Sequence, residues 1–371
     1  MELTRQTDRY DYLKPKAVLV QASLKDMKPV SYVLPGYVPK GKLSLLVGAP
    51  KSGKSTLACA MAARVTQGGS HCSWPDLTPT EVGKVVFVSR EDDFEDTITP
   101  RLVAAGANLD RVLNVVGVNS TQSEPDTFDW RPEHIDHLCN SICSIGNVKL
   151  IIIEPVFQAV DGDANSNQKV QRAFERLARL AKFLDVAIVG LAHVVKSARG
   201  KDPLNRVAGP LAVGGAPRSI LVTAKIQDES SEIEGSHVLV RVTTLNNALG
   251  GHAYAIEGCS VDGGNGPIET SKIVWKQSLE GTASEIIEMA ERKESTAKSI
   301  EKLDKAIALL KDKLKDGPCT HSEIEKSAKD VGVSDRNLQK AKKELGIISE
   351  KQKGAGQYSP FEWHLPELSS K

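Results

Sequence analysis

Aromatic residues are scarce, at 5% of the 371 residues. No run approaches the roughly 18 consecutive apolar residues that a bilayer-crossing helix needs, so none is expected. The opening stretch, MELTRQTDRYDYLKPK, has no apolar segment of the secretory kind, and a cytoplasmic chain is the expectation. Charge of one sign is missing too: 48 Lys and Arg face 47 Asp and Glu, a formal net charge of +1. That excludes a uniformly basic nucleic-acid coat and a strongly acidic disordered chain, and leaves room for a local patch. The six cysteines, Cys59, Cys72, Cys139, Cys143, Cys259 and Cys319, form no CxxC pair. A zinc ribbon or dithiol redox motif is therefore not indicated, and reduced thiols are the default. His134, His137, Cys139 and Cys143 cluster without a second ligand pair at zinc spacing, and read as mixed faces of one amphipathic helix.

What is present is ordinary soluble composition, 40% hydrophobic and 26% charged, long enough for two or three domains of roughly 150 residues. Continuous apolar runs read as strands covered on both faces: LSLLVG (Leu43–Gly48), KVVFVS (Lys84–Ser89), VLNVVG (Val112–Gly117), KLIIIE (Lys149–Glu154), VAIVGLA (Val186–Ala192) and SILVTAK (Ser219–Lys225). Helical patterns lie between them, at Ser55–Gln67, Phe94–Ala105, Arg131–Ser144 and Asn167–Phe183. The alternation predicts an α/β fold with a mostly parallel sheet. HVLVRVTTL (His237–Leu245) and AYAIEG (Ala253–Gly258) read as an antiparallel addition at its edge, and Gly258–Gly266 as a loop. The composition changes near Leu279. The expected division is an N-terminal extension at 1–30, a core at 31–278, a helical linker at 279–316 and a small unit at 317–371.

Gly48-Ala49-Pro50-Lys51-Ser52-Gly53-Lys54-Ser55 fits the phosphate-binding pattern GxxxxGK(S/T), with Thr56 continuing into the helical STLACAMAARV. An apolar strand enters and a helix leaves, as the chemistry requires. Glycines let backbone N–H groups converge on phosphate oxygens, and the helix N-terminus adds positive potential. Lys54 is placed for the β- and γ-phosphates, and the Ser55 hydroxyl for Mg²⁺. ATP with magnesium is the expected ligand.

Other candidates sit at strand ends. KVVFVSREDD leaves Glu91, Asp92 and Asp93 past a buried strand, where a carboxylate can polarise water; the alternative is an acidic turn capping the helix near Phe94. KLIIIE ends in Glu154, a metal-shell candidate one methylene longer than the usual Asp. LAHVVK places His193 past another strand, as a γ-phosphate sensor or as a hydrogen-bonded loop residue. The glycine-rich basic segment RGKDPLNRVAGPLAVGGAPR carries Arg206 and Arg218, either of which can serve a neighbouring subunit's γ-phosphate.

Taken in order, SYVLPGYVPKGKLSLLVGAPKSGKSTLA, VVFVSREDD, KLIIIEPVFQAVDGDANSN, LAHVVK and NRVAGPLAVGGAPRSILV resemble the RepA-like hexameric ATPases, a branch of the RecA/DnaB-type helicases of plasmids and phages. The resemblance covers about residues 30–250. It implies a RecA-like core, a homo-oligomeric ring and ATP sites between subunits. Glu91 would match the catalytic glutamate, Glu154 the Walker B acid and His193 the histidine after the next strand. Arg206 would match the arginine finger, with Arg218 a second basic residue at the same seam. DGDANSNQ (Asp161–Gln168) would match a polar loop near a central channel that takes single-stranded DNA.

From 318 to 366 the sequence reads helix, turn, helix, hairpin, and resembles a winged helix-turn-helix. Ser334 is a good N-cap for the second helix, which carries Arg336, Lys340, Lys342 and Lys343. Six basic residues face three acidic ones between Asp335 and Lys353, which suits duplex DNA, with Lys351 and Lys353 on phosphates. A protein-docking version of the same unit is the alternative. Three functions are consistent with the whole: an ATP-driven DNA helicase, a nucleotide-gated DNA-binding regulator or loader, and, weakest, a small-molecule kinase.

Overall fold

The computed structural model describes residues 21–23, 27–68, 74–75, 78–118, 126–162, 166–193, 215–227, 233, 235–243, 250–264, 266–291, 294–315, 317–351 and 361–366. Arg206, Cys72, Lys353 and residues 163–165 of DGDANSNQ lie outside them.

A short hairpin, β1 (Tyr32–Leu34) and β2 (Val38–Pro39), precedes the P-loop strand β3 (Leu43–Gly48) and helix α1 (Lys54–Gln67). Then come β4 (Lys84–Ser89), α2 (Thr99–Ala104), β5 (Val112–Asn114), α3 (Pro132–Ile145), β6 (Val148–Glu154), α4 (Asn167–Leu184), β7 (Ala187–His193) and β8 (Ser219–Lys225). Strands β9 (His237–Thr243), β10 (Gly251–Asp262) and β11 (Pro267–Leu279) complete a nine-stranded sheet in the order β11-β10-β9-β8-β3-β7-β6-β4-β5. From β8 to β5 every pairing is parallel. The last three strands are antiparallel.

The continuous apolar runs have the cause expected of them: helices cover both faces of the parallel part. Leu150 and Ile152 of β6 join Leu57 and Met61 of α1 on one face. Ile151 and Ile153 join Phe174 and Leu177 of α4 and Leu138 of α3 on the other. All four β6 side chains are fully buried, so period-2 alternation gives way to an unbroken Leu-Ile-Ile-Ile run.

Two expectations need correcting. Gly258–Gly266 is not a loop throughout: β10 continues to Asp262, pairs residue for residue with β11, and only the tip turns. Pro267–Leu279 alternates too weakly to stand out in sequence, because much of this ribbon is solvated on both faces. VLNVVG also forms a strand only over Val112–Asn114.

Beyond the sheet, α5 (Ala283–Glu291) buries Ile286, Ile287 and Ala290 in the core of the parallel sheet. The next helix, α6 (Glu294–Leu314), belongs to a separate apolar cluster. There Leu310 and Leu314 meet Ile324 of α7 (His321–Asp330), Leu338 of α8 (Asp335–Glu344) and Trp363. A three-stranded antiparallel sheet closes this body: β12 (Cys319–Thr320), β14 (Phe361–His364) and β13 (Ile348–Lys351). A capping box between Thr320 and Glu323 starts α7. Lys342, expected on a DNA-facing helix, instead lies 4.1 Å over the Trp363 ring, and burial there pulls its pKa down.

His237 of β9 is buried and stacks on Tyr254 of β10, with ring centroids 5.4 Å apart. Its Nδ1 meets Ser236 Oγ at 2.8 Å. Burial, with a smaller push from Lys225, holds its pKa near 4 against an ordinary 6.5. The unfolded chain therefore binds the extra proton between those values, and stability falls as pH drops through that window. Glu154, whose raised pKa acts the other way over the same window, is common to both chains, so the loss is read as the difference in urea midpoint between the unsubstituted chain and His237→Gln, which should favour the unsubstituted chain more at pH 7 than at pH 5.

Candidate nucleotide site

Parallel strands in fixed register bring their C-terminal ends to one edge. Gly48 of β3 pairs with His193 of β7 and with Thr223 of β8. Ser89 of β4 pairs with Glu154 of β6. Glu91 follows two residues beyond Ser89, and residues separated by more than a hundred positions thereby meet.

The loop between β3 and α1 turns through two left-handed residues, Lys51 (φ 62°) and Gly53 (φ 77°). Gly53 has a second reason to be glycine, since a Cβ there would lie 2.6 Å from Ile256 Cδ1. At Gly48 a Cβ would fall 1.9 Å from Thr223 Oγ1. Helix α1 starts at Gly53 with no side chain on its first amides, unlike α7 with its capping box. Those free amides and the helix dipole form a seat for a phosphate.

Lys54 is buried, its Nζ donating to Gly48 O at 3.2 Å and Ala49 O at 3.0 Å. It also lies 3.2 Å from His193 Nδ1. An ammonium only donates, so Nδ1 accepts, and the Nε2–H is free to donate to Glu91 Oε1 at 3.2 Å. The chain Lys54–His193–Glu91 runs across three strand ends. Burial lowers the Lys54 pKa, and Glu154 and Glu91 partly offset it.

Ser55 Oγ donates to Glu154 Oε1 at 2.6 Å. Glu154 is buried, and its pKa rises to about 7: burial dominates, Asp92 and Glu91 add to it, and Ser55 and Lys54 oppose it. A hydroxyl and a carboxylate converging at the foot of a phosphate seat are hard-oxygen donors of the kind Mg²⁺ takes alongside phosphate oxygens. The residues present thus fit a magnesium nucleotide.

The three acids after β4 part company. Asp92 pairs with Arg101 of α2 at 2.5 Å. Asp93 caps the following turn, accepting from the amides of Glu95 and Asp96. Only Glu91 faces the P-loop. Arg218 is exposed at the start of β8, where its amide donates to Leu43 O at 2.8 Å, at the opposite end of β3 from Gly48. One chain therefore does not bring Arg218 to its own loop. Among the described residues no group of three or more His, Cys, Asp or Glu is placed to hold a metal ion, on α3 or elsewhere. His134 is buried instead, accepting from the Asp129 amide and stacking near Phe128.

A family model for an AAA domain matches residues 9–199, just over half of the chain. This chain belongs to that AAA-domain family. It is a P-loop ATPase in its fold, and nucleotide binding, typically with Mg²⁺, goes with it. No curated protein matches it. Among the described residues no helix is long and apolar enough to cross a membrane.

Two residues of this AAA site carry no motif. Ser52 of the loop shares a hydrogen bond with Thr223 Oγ1 at 2.6 Å, while its carbonyl accepts from Tyr254 OH at 2.8 Å. Burial raises the Tyr254 pKa far above its ordinary value. Thr223 had a faint signal, as a polar residue at the C-terminal end of an apolar strand.

Lys54→Ala should abolish ATP hydrolysis, read as phosphate release. Thr223→Val with Tyr254→Phe should weaken nucleotide binding roughly tenfold, about 1.4 kcal/mol, with turnover at saturation nearly kept, as two lost hydrogen bonds of modest net worth predict. Titration with a fluorescent ADP analogue measures it.

Proposed function

We propose that this chain is a ring-forming, ATP-dependent DNA motor of the RepA-like branch, a replicative helicase of a mobile genetic element acting in the cytoplasm. The observation that carries the reading is the Lys54–His193–Glu91 chain beside the Ser55–Glu154 pair, which assembles the separate motifs of the resemblance at one sheet edge.

Ser55 and Glu154 would hold Mg²⁺, which would offset phosphate charge there; Lys54 meets the β- and γ-phosphate oxygens, and Glu91 orients the attacking water. His193 ties Lys54 to Glu91, so a shift of Lys54 onto phosphate reaches the end of β7. Arg206, with Arg218 beside it, is assigned to the neighbouring subunit's site; the position of Arg218 away from its own P-loop favours action across a seam. The ring, a hexamer by resemblance, passes single-stranded DNA through its centre.

The body from α6 onward is read as a winged helix-turn-helix; of the expected division at 1–30, 31–278, 279–316 and 317–371, the linker is shared, α5 packing with the sheet core and α6 with the C-terminal cluster. Lys340 and Lys343 of α8 stay exposed and suit duplex phosphates, with Arg336, Lys351 and Lys353 beside them in sequence. A second reading, a nucleotide-gated DNA-binding regulator or loader that does not unwind, is favoured by Glu in place of Asp at position 154 and by this basic helix.

Unwinding of a forked duplex separates the two. Strand separation with ATPase stimulation by single-stranded DNA is expected; ATP-dependent binding without separation would assign the chain to the regulator class.

A further inference from the structure

Helix α4 carries five cations, Lys169, Arg172, Arg176, Arg179 and Lys182, against one carboxylate, Glu175, in a chain whose net charge is +1. At 100° per residue, Lys169, Arg172, Arg176, Arg179 and Phe183 fall within about 80° of arc. This stripe lies opposite the buried face of Val170, Phe174 and Leu177. Glu175 lies outside it and accepts from Gln171 Nε2 at 3.0 Å. Arg176 is anchored, donating to Ala159 O at 2.9 Å and reaching Asp161 at 3.4 Å.

The other four cations have no ion pair among the described residues. On other helices and at their ends some exposed lysines find a carboxylate one turn away: Lys305 with Glu301, Lys315 with Asp312, Lys329 with Glu325. On α4 the positive charge is left to solvent. The stripe ends at Phe183, 75% exposed, an apolar ring that no core requires. A row of cations rising about 4.5–6 Å at each step, ended by an open aromatic face, fits a polymer with a phosphate on every unit and flat bases between. The regular step between the cations favours a polymer with one phosphate per unit over an acidic protein surface or an anionic lipid, whose charges keep no fixed repeat along a helix.

We infer that the outer face of α4 is a binding track for single-stranded nucleic acid, separate from the channel loops of the proposed motor. The strand's phosphates run along Lys169, Arg172 and Arg179, and a base stacks on Phe183. The inference rests on the DNA-motor reading for the identity of the strand.

Anisotropy of a labelled oligo-dT, titrated with the full chain at several salt concentrations, tests it. Arg172→Gln with Arg179→Gln should lose at least tenfold in affinity, and the slope of log affinity against log salt should become shallower by about 1.4. Arg172→Lys with Arg179→Lys should keep the slope. Phe183→Ala should weaken oligo-dT binding without changing the slope, and leave binding of inorganic polyphosphate, which has no bases, as it was. Unchanged affinity in the glutamine variant overturns the inference while the motor reading stands. So does loss of assembly mass by light scattering in place of DNA affinity, which would make the stripe an interface between copies. Failure of the unsubstituted chain to bind oligo-dT at all overturns the motor reading first, and this track with it.

Discussion

Parallel strands that hold one register up to their C-terminal ends finish at one level, and the chemistry of this protein depends on that. The pairings of Gly48 with His193 and Thr223, and of Ser89 with Glu154, set five strand ends side by side. Each residue at such an end leaves the apolar interior on one side and meets helix N-termini on the other. The position is costly for polar atoms unless they find each other. They do so as Lys54 with His193, His193 with Glu91, and Ser55 with Glu154.

The electrostatics of the edge follow from the same burial. The lysine is pushed toward its neutral form and Glu154 toward its protonated form by loss of water, and each opposes that in the other. A site in this condition favours a ligand that brings both signs of charge, phosphate for the lysine and a divalent cation for the carboxylate. The uncapped start of α1 adds the remaining donors.

Much of this was legible in the chain before folding. The P-loop, the parallel strands and the candidates Glu91, Glu154 and His193 are local signals: an apolar run, then a polar residue. Three kinds of feature were hidden. Thr223 and Tyr254 act on Ser52 across 171 and 202 positions; Thr223 has only the faint signal of a polar residue ending an apolar strand, and Tyr254 has none. Asp92 and Asp93 share their neighbours' sequence signal, and only the position of Arg101 and the amides after residue 94 sort them from Glu91. Lys342 looks like any exposed lysine until Trp363 is found beneath it. Ribbon β10–β11 escaped because a solvated hairpin lacks the one-sided apolar alternation that marks a half-buried strand.

The hold of Tyr254 on the Ser52 carbonyl has a consequence for biosynthesis. The segment from Gly48 to Ser55 leaves the ribosome early, but one of its two supports belongs to β10, the last strand but one of the nine-stranded sheet to be made. A growing polypeptide therefore translates some two hundred further codons before this turn reaches its finished shape, which delays tight capture of cellular nucleotide until the α/β core is nearly complete.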